Sequence, residues 1–283
     1  MNELTIDSYA KINLGLDVLS RREDGYHNIR TIMQEIDLKD RLSLRRIDQG
    51  FSIDSNNKNI PLDETNLVGK VWLMMKERFK LSGGLAVYID KKIPVAGGLA
   101  GGSTNAAGAL RAISQLWGLD LSREEMEGLA LEIGADVPFC LRGGTWLAEG
   151  VGNIFSQELD FKDRDILIVN PGIEISSGQA YEGLSLRPGP DRIGPIIQAI
   201  ERGDLEALGA SLYNKLEENT LKEYSEIRKI KETMLELGAR ASLMSGSGST
   251  VFAIFASRQD MEEAGAYFKE AFRDYIVVGT KSR

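Results

Sequence analysis

Apolar residues recur at every second position in several segments of the chain, which is the spacing of a β-strand with one buried face. The first such segment is residues 12–18, where isoleucine, leucine, leucine and valine alternate with other side chains. Because alternate side chains point to opposite faces of a strand, Lys11 and Asn13 are expected to share the other face. Further apolar segments predict strands near residues 32–36, 85–89, 145–148, 166–169, 251–255 and 275–278.

Other segments carry apolar residues at steps of three and four, the spacing of an amphipathic α-helix. These segments are residues 66–80, 106–117, 221–237 and 259–272. Ser122 and Glu125 form a capping box that begins another helix, and Gly134 is expected to end it. The order of strands and helices, with no internal repeat, predicts an α+β fold.

A stretch rich in glycine, residues 94–107, lies between the predicted strand at 85–89 and the helix at 106–117. Glycine lets backbone N–H groups approach an anion closely, and the N-terminus of a helix adds unpaired N–H groups and the positive end of its dipole. The stretch therefore predicts a phosphate-binding loop. Ser103 or Thr104 is expected to cap the helix that follows.

The glycine stretch excludes two common nucleotide-binding motifs. Gly97 and Gly102 have the spacing of a P-loop, but Ser103 stands where that motif requires lysine. The pattern G-x-G-x-x-G does not occur in the chain, so the fingerprint of a dinucleotide-binding Rossmann fold is missing. The alternative at this point is a flexible glycine turn that binds no ligand.

Composition and charge narrow the class of protein. The chain has 283 residues, of which 42% are hydrophobic and 27% charged, as in a soluble globular protein of one large or two modest domains. Its net charge of −8 argues against a nucleic-acid or membrane surface as partner and favours a small molecule. The first residues lack the features of a signal peptide and no apolar run is long enough for a membrane span, so a cytoplasmic location is expected.

The scarcity of cysteine and histidine removes further classes of site. One cysteine, Cys140, cannot form an internal disulfide, and one histidine, His27, cannot form a histidine-rich metal site. A serine hydrolase would have to use His27 and has no G-x-S-x-G segment to hold its serine.

Four segments outside the glycine stretch carry candidate functional residues. Asp136 stands among apolar residues, before a proline expected to end a helix, and is either buried with partners or functional. Tyr26 and His27 lie where a turn enters a strand, although a turn aromatic with a polar neighbour gives the same pattern. Residues 244–250 form a second loop of glycine and hydroxyl residues, which alone would be only a turn. Lys11 alone could equally be a solvated strand lysine.

Taken together, these segments resemble the three motifs of the GHMP small-molecule kinases. The matching segments, in order, are residues 9–14, 94–107 and 245–249, and the resemblance extends over nearly the whole chain. It implies an N-terminal nucleotide-binding domain (residues 1–157) with the α+β fold of ribosomal protein S5 domain 2. It also implies a C-terminal ferredoxin-like α+β domain (residues 158–283), with ATP bound in a cleft between the two halves and Mg²⁺ as its cation.

The resemblance also implies roles for individual residues. Lys11 and Asp136 become the catalytic pair, with Asp136 accepting the hydroxyl proton. Residues expected to bind the nucleotide are Asn66, Lys91, Pro94, Gly97, Gly98, Leu99, Gly101, Gly102, Ser103 and Thr104. Residues expected to bind the second substrate are Asn13, Tyr26, His27 and Tyr181. Metal ligands cannot be identified, and Ala96 and Ala100 stand where relatives often carry glycine.

The segments 24–27 and 134–139 indicate one branch of this family. Its members phosphorylate the 2-hydroxyl of a cytidine diphosphate ester of methylerythritol, a step of the non-mevalonate route to isoprenoids. The resemblance leaves open a mevalonate-type or homoserine kinase, a diphosphomevalonate decarboxylase, or a non-catalytic nucleotide-binding regulator. A homodimer is also left open.

Overall fold

The computed structural model describes residues 2–186 and 189–283. Its elements in chain order are β1 (Glu3–Arg21), β2 (His27–Ile47), β3 (Phe51–Ser55), α1 (Leu67–Arg78), β4 (Gly84–Asp90), α2 (Gly101–Trp117), α3 (Arg123–Ile133), α4 (Val137–Arg142), β5 (Thr145–Glu149), β6 (Ile154–Leu159), β7 (Asp165–Asn170), α5 (Ser177–Tyr181), α6 (Gly194–Arg202), α7 (Leu205–Ser211), β8 (Tyr213–Asn214), α8 (Glu217–Glu223), α9 (Ser225–Glu236), β9 (Ala241–Met244), β10 (Val251–Phe255), α10 (Arg258–Ala271) and β11 (Ile276–Lys281).

The chain forms two compact units. Unit 1 consists of Met1–Ala10, Leu38–Val95 and Ala100–Arg142, and unit 2 of Lys11–Asp37, Ala96–Leu99 and Gly143–Arg283. The boundary expected between residues 157 and 158 falls within β6, which pairs with β5 inside unit 2. That division of the chain into domains stays a prediction.

Unit 1 combines sheet strands with the first four helices. In this unit β2 pairs antiparallel with β4, and β3 pairs parallel with β4 on its other side. Helix α2 lies against β1 so closely that a Cβ atom on Gly108 would come 2.3 Å from Ser8 Oγ. Trp72 of α1 and Trp117 at the end of α2 pack with ring centroids 5.1 Å apart. The predicted helices at 66–80 and 106–117 are confirmed, as is the capping box at the start of α3.

Unit 2 contains a four-stranded antiparallel sheet with the order β11-β7-β10-β9. The connection from β7 to β9 contains α5, α6, α7, β8, α8 and α9, and α10 connects β10 with β11. With α9 and α10 as its two helices, the unit has the strand–helix–strand–strand–helix–strand order of a ferredoxin-like domain. The core beside this sheet is formed by apolar side chains of both helices, including Ile230 and Phe268. The ferredoxin-like prediction is confirmed.

The remaining strands of unit 2 position the first motif. Residues 15 and 16 of β1 pair parallel with β8, with Gly15 opposite Tyr213. Residues 31–34 of β2 pair antiparallel with β5. These pairings fix the backbone on which Lys11 and Asn13 are carried.

Two expectations about elements are wrong in detail. The helix predicted over 221–237 is two helices, α8 and α9, which separate at Tyr224, whose φ of −116° and ψ of 81° are not helical. The amphipathic spacing continues across this break and so could not reveal it. Strand β1 was expected to bury one face, but every residue from Lys11 to Leu16 is buried.

Candidate active site

The polar residues of the first motif form a buried chain of hydrogen bonds. Lys11 Nζ donates to Asn13 Oδ1 at 2.7 Å, and Asn13 Nδ2 donates to Thr31 Oγ1 at 2.9 Å. Thr31 Oγ1 in turn donates to the carbonyl of Gly15 at 2.6 Å. The prediction that Lys11 and Asn13 share a face is confirmed. Thr31, in the neighbouring strand, was not predicted.

The backbone of the third motif, residues 245–249, lies over these hydrogen-bonded side chains. A Cβ atom on Gly246 would lie 3.3 Å from Asn13 Oδ1 and 3.6 Å from Lys11 Nζ, so the loop backbone passes directly beside both groups. Ser245 Oγ donates to the carbonyl of Gly98 at 3.0 Å. Residues from all three motifs therefore meet within unit 2, which explains why both faces of β1 are buried at this point.

Asn214 of β8 holds the third motif in place. Its Nδ2 donates to the carbonyls of Met244 and Gly246, both at 2.8 Å, and its Oδ1 accepts from the backbone N–H of Leu216 at 3.0 Å. Sequence reasoning missed this residue, because an asparagine between two helices carries no motif. Its role depends on the pairing of β8 with β1.

The first half of the glycine stretch fits tightly against the third motif. Gly98 has a φ of +73°, and a Cβ atom on it would lie 2.1 Å from the carbonyl oxygen of Ser245. Only glycine fits there, both for conformation and for space. Leu99 is buried and its carbonyl accepts from the backbone N–H of Lys11 at 3.2 Å. Gly97 and Pro94, further sequence-predicted residues, are also buried.

Helix α2 begins at Gly101 with its N-terminus uncapped by a side chain. The residue before it, Ala100, has a left-handed conformation with φ of 56°. The prediction that Ser103 or Thr104 caps the helix is wrong, because the helix starts before both. Thr104 Oγ1 instead donates to the carbonyl of Tyr9 at 2.6 Å. The first N–H groups of α2, at Gly101 and the exposed Gly102, are thus suited to bind an anion.

A buried ion pair lies next to this helix start. Lys91 Nζ donates to Asp40 Oδ2 at 2.5 Å, and Asp40 Oδ1 accepts from the backbone N–H groups of Lys92 and Ile93 at 2.7 and 2.8 Å. A Cβ atom on Gly101 would lie 2.7 Å from Lys91 Nζ. Burial lowers the pKa of Lys91 below its usual value, although the carboxylate of Asp40 opposes that shift.

Two further predicted residues lie at helix starts in unit 1. Asn66 caps α1: its Oδ1 accepts from Val68 N–H at 3.0 Å, and its Nδ2 donates to the carbonyl of Pro61 at 2.8 Å. Asp136 is half-buried and directly precedes α4. Pro138 was expected to end a helix, but it occupies the first turn of α4, where its missing N–H costs no hydrogen bond.

The structure also brings together His27 and Tyr181, far apart in the sequence. Their rings stack with centroids 4.9 Å apart and 28° between their planes. Tyr181 ends α5, which begins with a capping box of Ser176 and Gln179. Burial, and secondarily the charge of Arg21, lowers the pKa of His27. Tyr26 is 59% exposed, so its ring is accessible to a ligand.

The predicted residues are distributed over both units. Unit 1 contains Asn66, Lys91, Pro94, Gly101, Gly102, Ser103, Thr104 and Asp136. Unit 2 contains Lys11, Asn13, Tyr26, His27, Gly97, Gly98, Leu99 and Tyr181. Within residues 2–186 and 189–283, no three histidine, cysteine, aspartate or glutamate side chains cluster in a way that could hold a metal ion. Among the same residues, no helix combines the length and apolar character needed to cross a membrane.

Comparisons with known proteins agree with the geometry. The profile described as "GHMP kinases N terminal domain" matches residues 66–144, and that described as "GHMP kinases C terminal" matches residues 196–274. A protein of Thermoanaerobacter pseudethanolicus named 4-diphosphocytidyl-2-C-methyl-D-erythritol kinase is 43% identical over 275 residues, which cover 96% of this chain and 94% of the relative.

Solved structures show the same fold. A crystal structure of 4-(cytidine 5'-diphospho)-2C-methyl-D-erythritol kinase superposes with a TM-score of 0.83 at 30% identity, covering 99% of this chain and all of the other. A homoserine kinase from Cytophaga hutchinsonii superposes with a TM-score of 0.81, but its identity is 21%, over 100% of this chain and 95% of the other. The second similarity shows the fold alone.

Proposed function

The chain belongs to the GHMP kinase family, and on that premise we propose that it transfers the γ-phosphoryl group of ATP to the 2-hydroxyl of 4-diphosphocytidyl-2-C-methyl-D-erythritol. The observation that supports this choice of substrate is the 43% identity, over nearly the full length of both chains, to a protein named 4-diphosphocytidyl-2-C-methyl-D-erythritol kinase. The homoserine kinase reaches a similar TM-score at 21% identity, which supports the fold and not its substrate.

The phosphates of ATP bind at the start of α2. Its first N–H groups lack a side-chain cap, and its first residue, Gly101, lies beside the ammonium of Lys91. Ser103 and Thr104 continue the first turn, while Gly97 and Gly98 belong to the loop before it. This loop lacks the lysine of a P-loop. Binding of a phosphate there therefore depends on backbone N–H groups and on cations that come from outside the loop.

Mg²⁺ is part of the proposal as a partner of the nucleotide. The described residues contain no cluster of acidic or histidine side chains that would bind it alone. Mg²⁺ usually keeps waters and binds through substrate phosphates with one or two carboxylates, so we include it as a cation that binds together with ATP. When bound, it neutralises charge on the phosphates.

Asp136 and Lys11 carry the transfer itself. Asp136 accepts the proton of the 2-hydroxyl as general base, and Lys11 stabilises the negative charge that develops on that oxygen. The surroundings of Lys11 support this role. Its ammonium is buried, donates a hydrogen bond to Asn13, and lies beside the backbone of Gly246. A charge held in this way needs little rearrangement during the reaction.

His27 recognises the cytosine of the second substrate. Its lowered pKa keeps the imidazole neutral at pH 7, so one ring nitrogen donates and the other accepts a hydrogen bond. Tyr181 stacks on the imidazole and limits its rotation. The accessible ring of Tyr26 and that of Tyr181 are the proposed stacking faces for the base, and Asn13 lies toward the phosphorylated part of the substrate.

Asn66 and Lys91 stay proposed neighbours of the adenosine, although contacts within the protein restrict both. Asn66 already uses its amide to cap α1, and the ammonium of Lys91 is held by Asp40. A cytoplasmic location and the absence of a nucleic-acid partner also belong to the proposal, and the net charge of −8 supports the second of these.

The products test this function. The protein is incubated with ATP, Mg²⁺ and the cytidine diphosphate ester, and the mixture is followed by ³¹P NMR. We expect ADP together with a new phosphomonoester whose ¹³C coupling places it on carbon 2. ADP formed without a phosphorylated ester, or a phosphoryl group on another carbon, contradicts the proposal.

A further inference from the structure

We propose that Thr31 is a positioning residue: its hydroxyl fixes the amide of Asn13 and, through that amide, the ammonium of Lys11. The inference rests on the proposed role of Lys11 in phosphoryl transfer. Thr31 lies in β2, whereas Asn13 and Lys11 lie in β1, so the first motif alone does not define this arrangement.

The direction of each hydrogen bond follows from the number of protons available. The hydroxyl of Thr31 has one proton, and it donates that proton to the carbonyl of Gly15 at 2.6 Å. Toward Asn13 the hydroxyl can therefore only accept. The Asn13 atom 2.9 Å away must then be the NH₂ group, which turns Oδ1 toward Lys11 Nζ, 2.7 Å away.

The opposite orientation of the amide would be unfavourable at both ends. It would place the NH₂ group of Asn13 beside an ammonium, where two donors face each other, and it would leave Oδ1 beside a hydroxyl oxygen with no proton to give. Only one orientation of Asn13 satisfies all groups, and the hydroxyl of Thr31 fixes it at the end of the amide away from Lys11.

Burial makes this selection effective. Thr31, Asn13 and Lys11 are 0%, 2% and 5% exposed, so water does not readily replace a lost partner. The backbone of Gly246 closes the space beside Asn13 Oδ1. The backbone of Thr31 is itself fixed, because it pairs with Ala148 of β5. The hydroxyl of Thr31 is thus held in a fixed position, where it accepts the hydrogen bond from the amide of Asn13.

Two replacements of Thr31 distinguish the positioning role of its hydroxyl from the packing of its side chain. Thr31→Val keeps the shape of the side chain but removes the hydroxyl, whereas Thr31→Ser keeps the hydroxyl and loses one methyl group. We expect Thr31→Val to lower kcat about tenfold or more with a small change in the KM for ATP, and Thr31→Ser to stay within about threefold of the wild type. Equal kcat values for the wild type and Thr31→Val, or equal losses in the two variants, overturn the proposal.

A double-variant cycle tests the route through Asn13. In an Asn13→Ala background, Thr31→Val should cause no further loss of kcat, because the group that it positions is already missing. A full additional loss in that background contradicts the proposal.

The side-chain NMR signals of Asn13 give a readout that does not depend on the reaction. With the amide held at both ends, its two N–H protons should exchange slowly with solvent in the wild type and in Thr31→Ser, and faster in Thr31→Val. Should Thr31→Val fail to fold, Thr31→Ala serves in its place. Unchanged exchange in the hydroxyl-free variant overturns the inference. If instead the wild type does not phosphorylate the cytidine ester, the proposed function fails while these spectra still decide the role of Thr31.

Discussion

The imidazole of His27 lies against the phenol ring of Tyr181, with ring centroids 4.9 Å apart and 28° between the planes. The two residues belong to different elements, the start of β2 and the end of α5. Their contact partly removes the chain's single histidine from water, and burial is the main reason that its pKa is lowered. The contact thus holds the imidazole that we propose to bind the substrate, and it contributes to the burial that lowers the pKa of His27.

The protonation of His27 can be measured without ambiguity, because the chain has one histidine. We expect its ¹H NMR signal to titrate with a midpoint below 6.5. Tyr181→Ala should raise that midpoint toward 6.5 by exposing the imidazole, while Tyr26→Ala is the matched control. Since the unfolded chain binds the proton more tightly, this group lowers the free energy of unfolding as pH falls below 6.5. A midpoint above 6.5 contradicts this account.

Substrate recognition by His27 is tested by direct binding. His27→Ala should weaken binding of the cytidine diphosphate ester by about 1–3 kcal/mol, because a donor or acceptor of the base is left unpaired. Binding of ATP should be almost unchanged, and calorimetric titration of each ligand into the folded variant compares the two. Unaltered affinity for the ester would detach His27 from base recognition.

The ion pair of Asp40 and Lys91 predicts a large effect on stability. Asp40→Asn leaves the buried ammonium of Lys91 without its counter-charge and should lower the free energy of unfolding by about 3–5 kcal/mol. Adding Lys91→Met should recover part of that loss, as urea denaturation would show. A double variant less stable than Asp40→Asn alone would be evidence against this role of the pair.

The same pair predicts a pH dependence. Burial holds the pKa of Lys91 below 10.5, so between the lowered pKa and 10.5 the unfolded chain binds more protons than the folded one. The contribution of this lysine to the free energy of unfolding therefore rises with pH across that window. Lys91→Met should remove this part of the pH dependence, measured as the difference between the two denaturation profiles.

The general base is tested by Asp136→Asn. The variant should keep its affinity for ATP, while kcat falls by roughly 10²–10⁴, the usual range for losing proton transfer. A single-turnover measurement isolates the chemical step. Unchanged turnover in that experiment would remove Asp136 from the mechanism.

The parts of the site that the sequence predicted are those whose signal is local. The glycine stretch at 94–107, the second loop at 244–250 and the shared face of Lys11 and Asn13 each follow from consecutive residues. The ferredoxin-like domain, by contrast, was expected from the family resemblance and not from the apolar spacing, which predicted no strand at Ala241–Met244. Local spacing cannot show a break such as the one at Tyr224, where the amphipathic pattern continues.

Thr31, Asn214 and Asp40 escaped prediction because their partners lie far along the chain. Thr31 and Asn214 depend on strand pairing, which a single sequence does not reveal. Asp40 did carry a usable signal: it occurs at the alternate position between Leu38 and Leu42, on the apolar face of β2. A carboxylate on such a face must have partners, and Lys91 was already a candidate residue.

The central claim, that the second substrate is 4-diphosphocytidyl-2-C-methyl-D-erythritol, is tested most directly by kcat/KM values across a panel of alcohols. The panel contains this ester, mevalonate and homoserine, each assayed for ADP formation with ATP and Mg²⁺. The account predicts that kcat/KM for the cytidine ester exceeds the other two by at least about 10³, because they lack the base that His27 and the tyrosines recognise. Turnover of mevalonate or homoserine with none of the cytidine ester would contradict it.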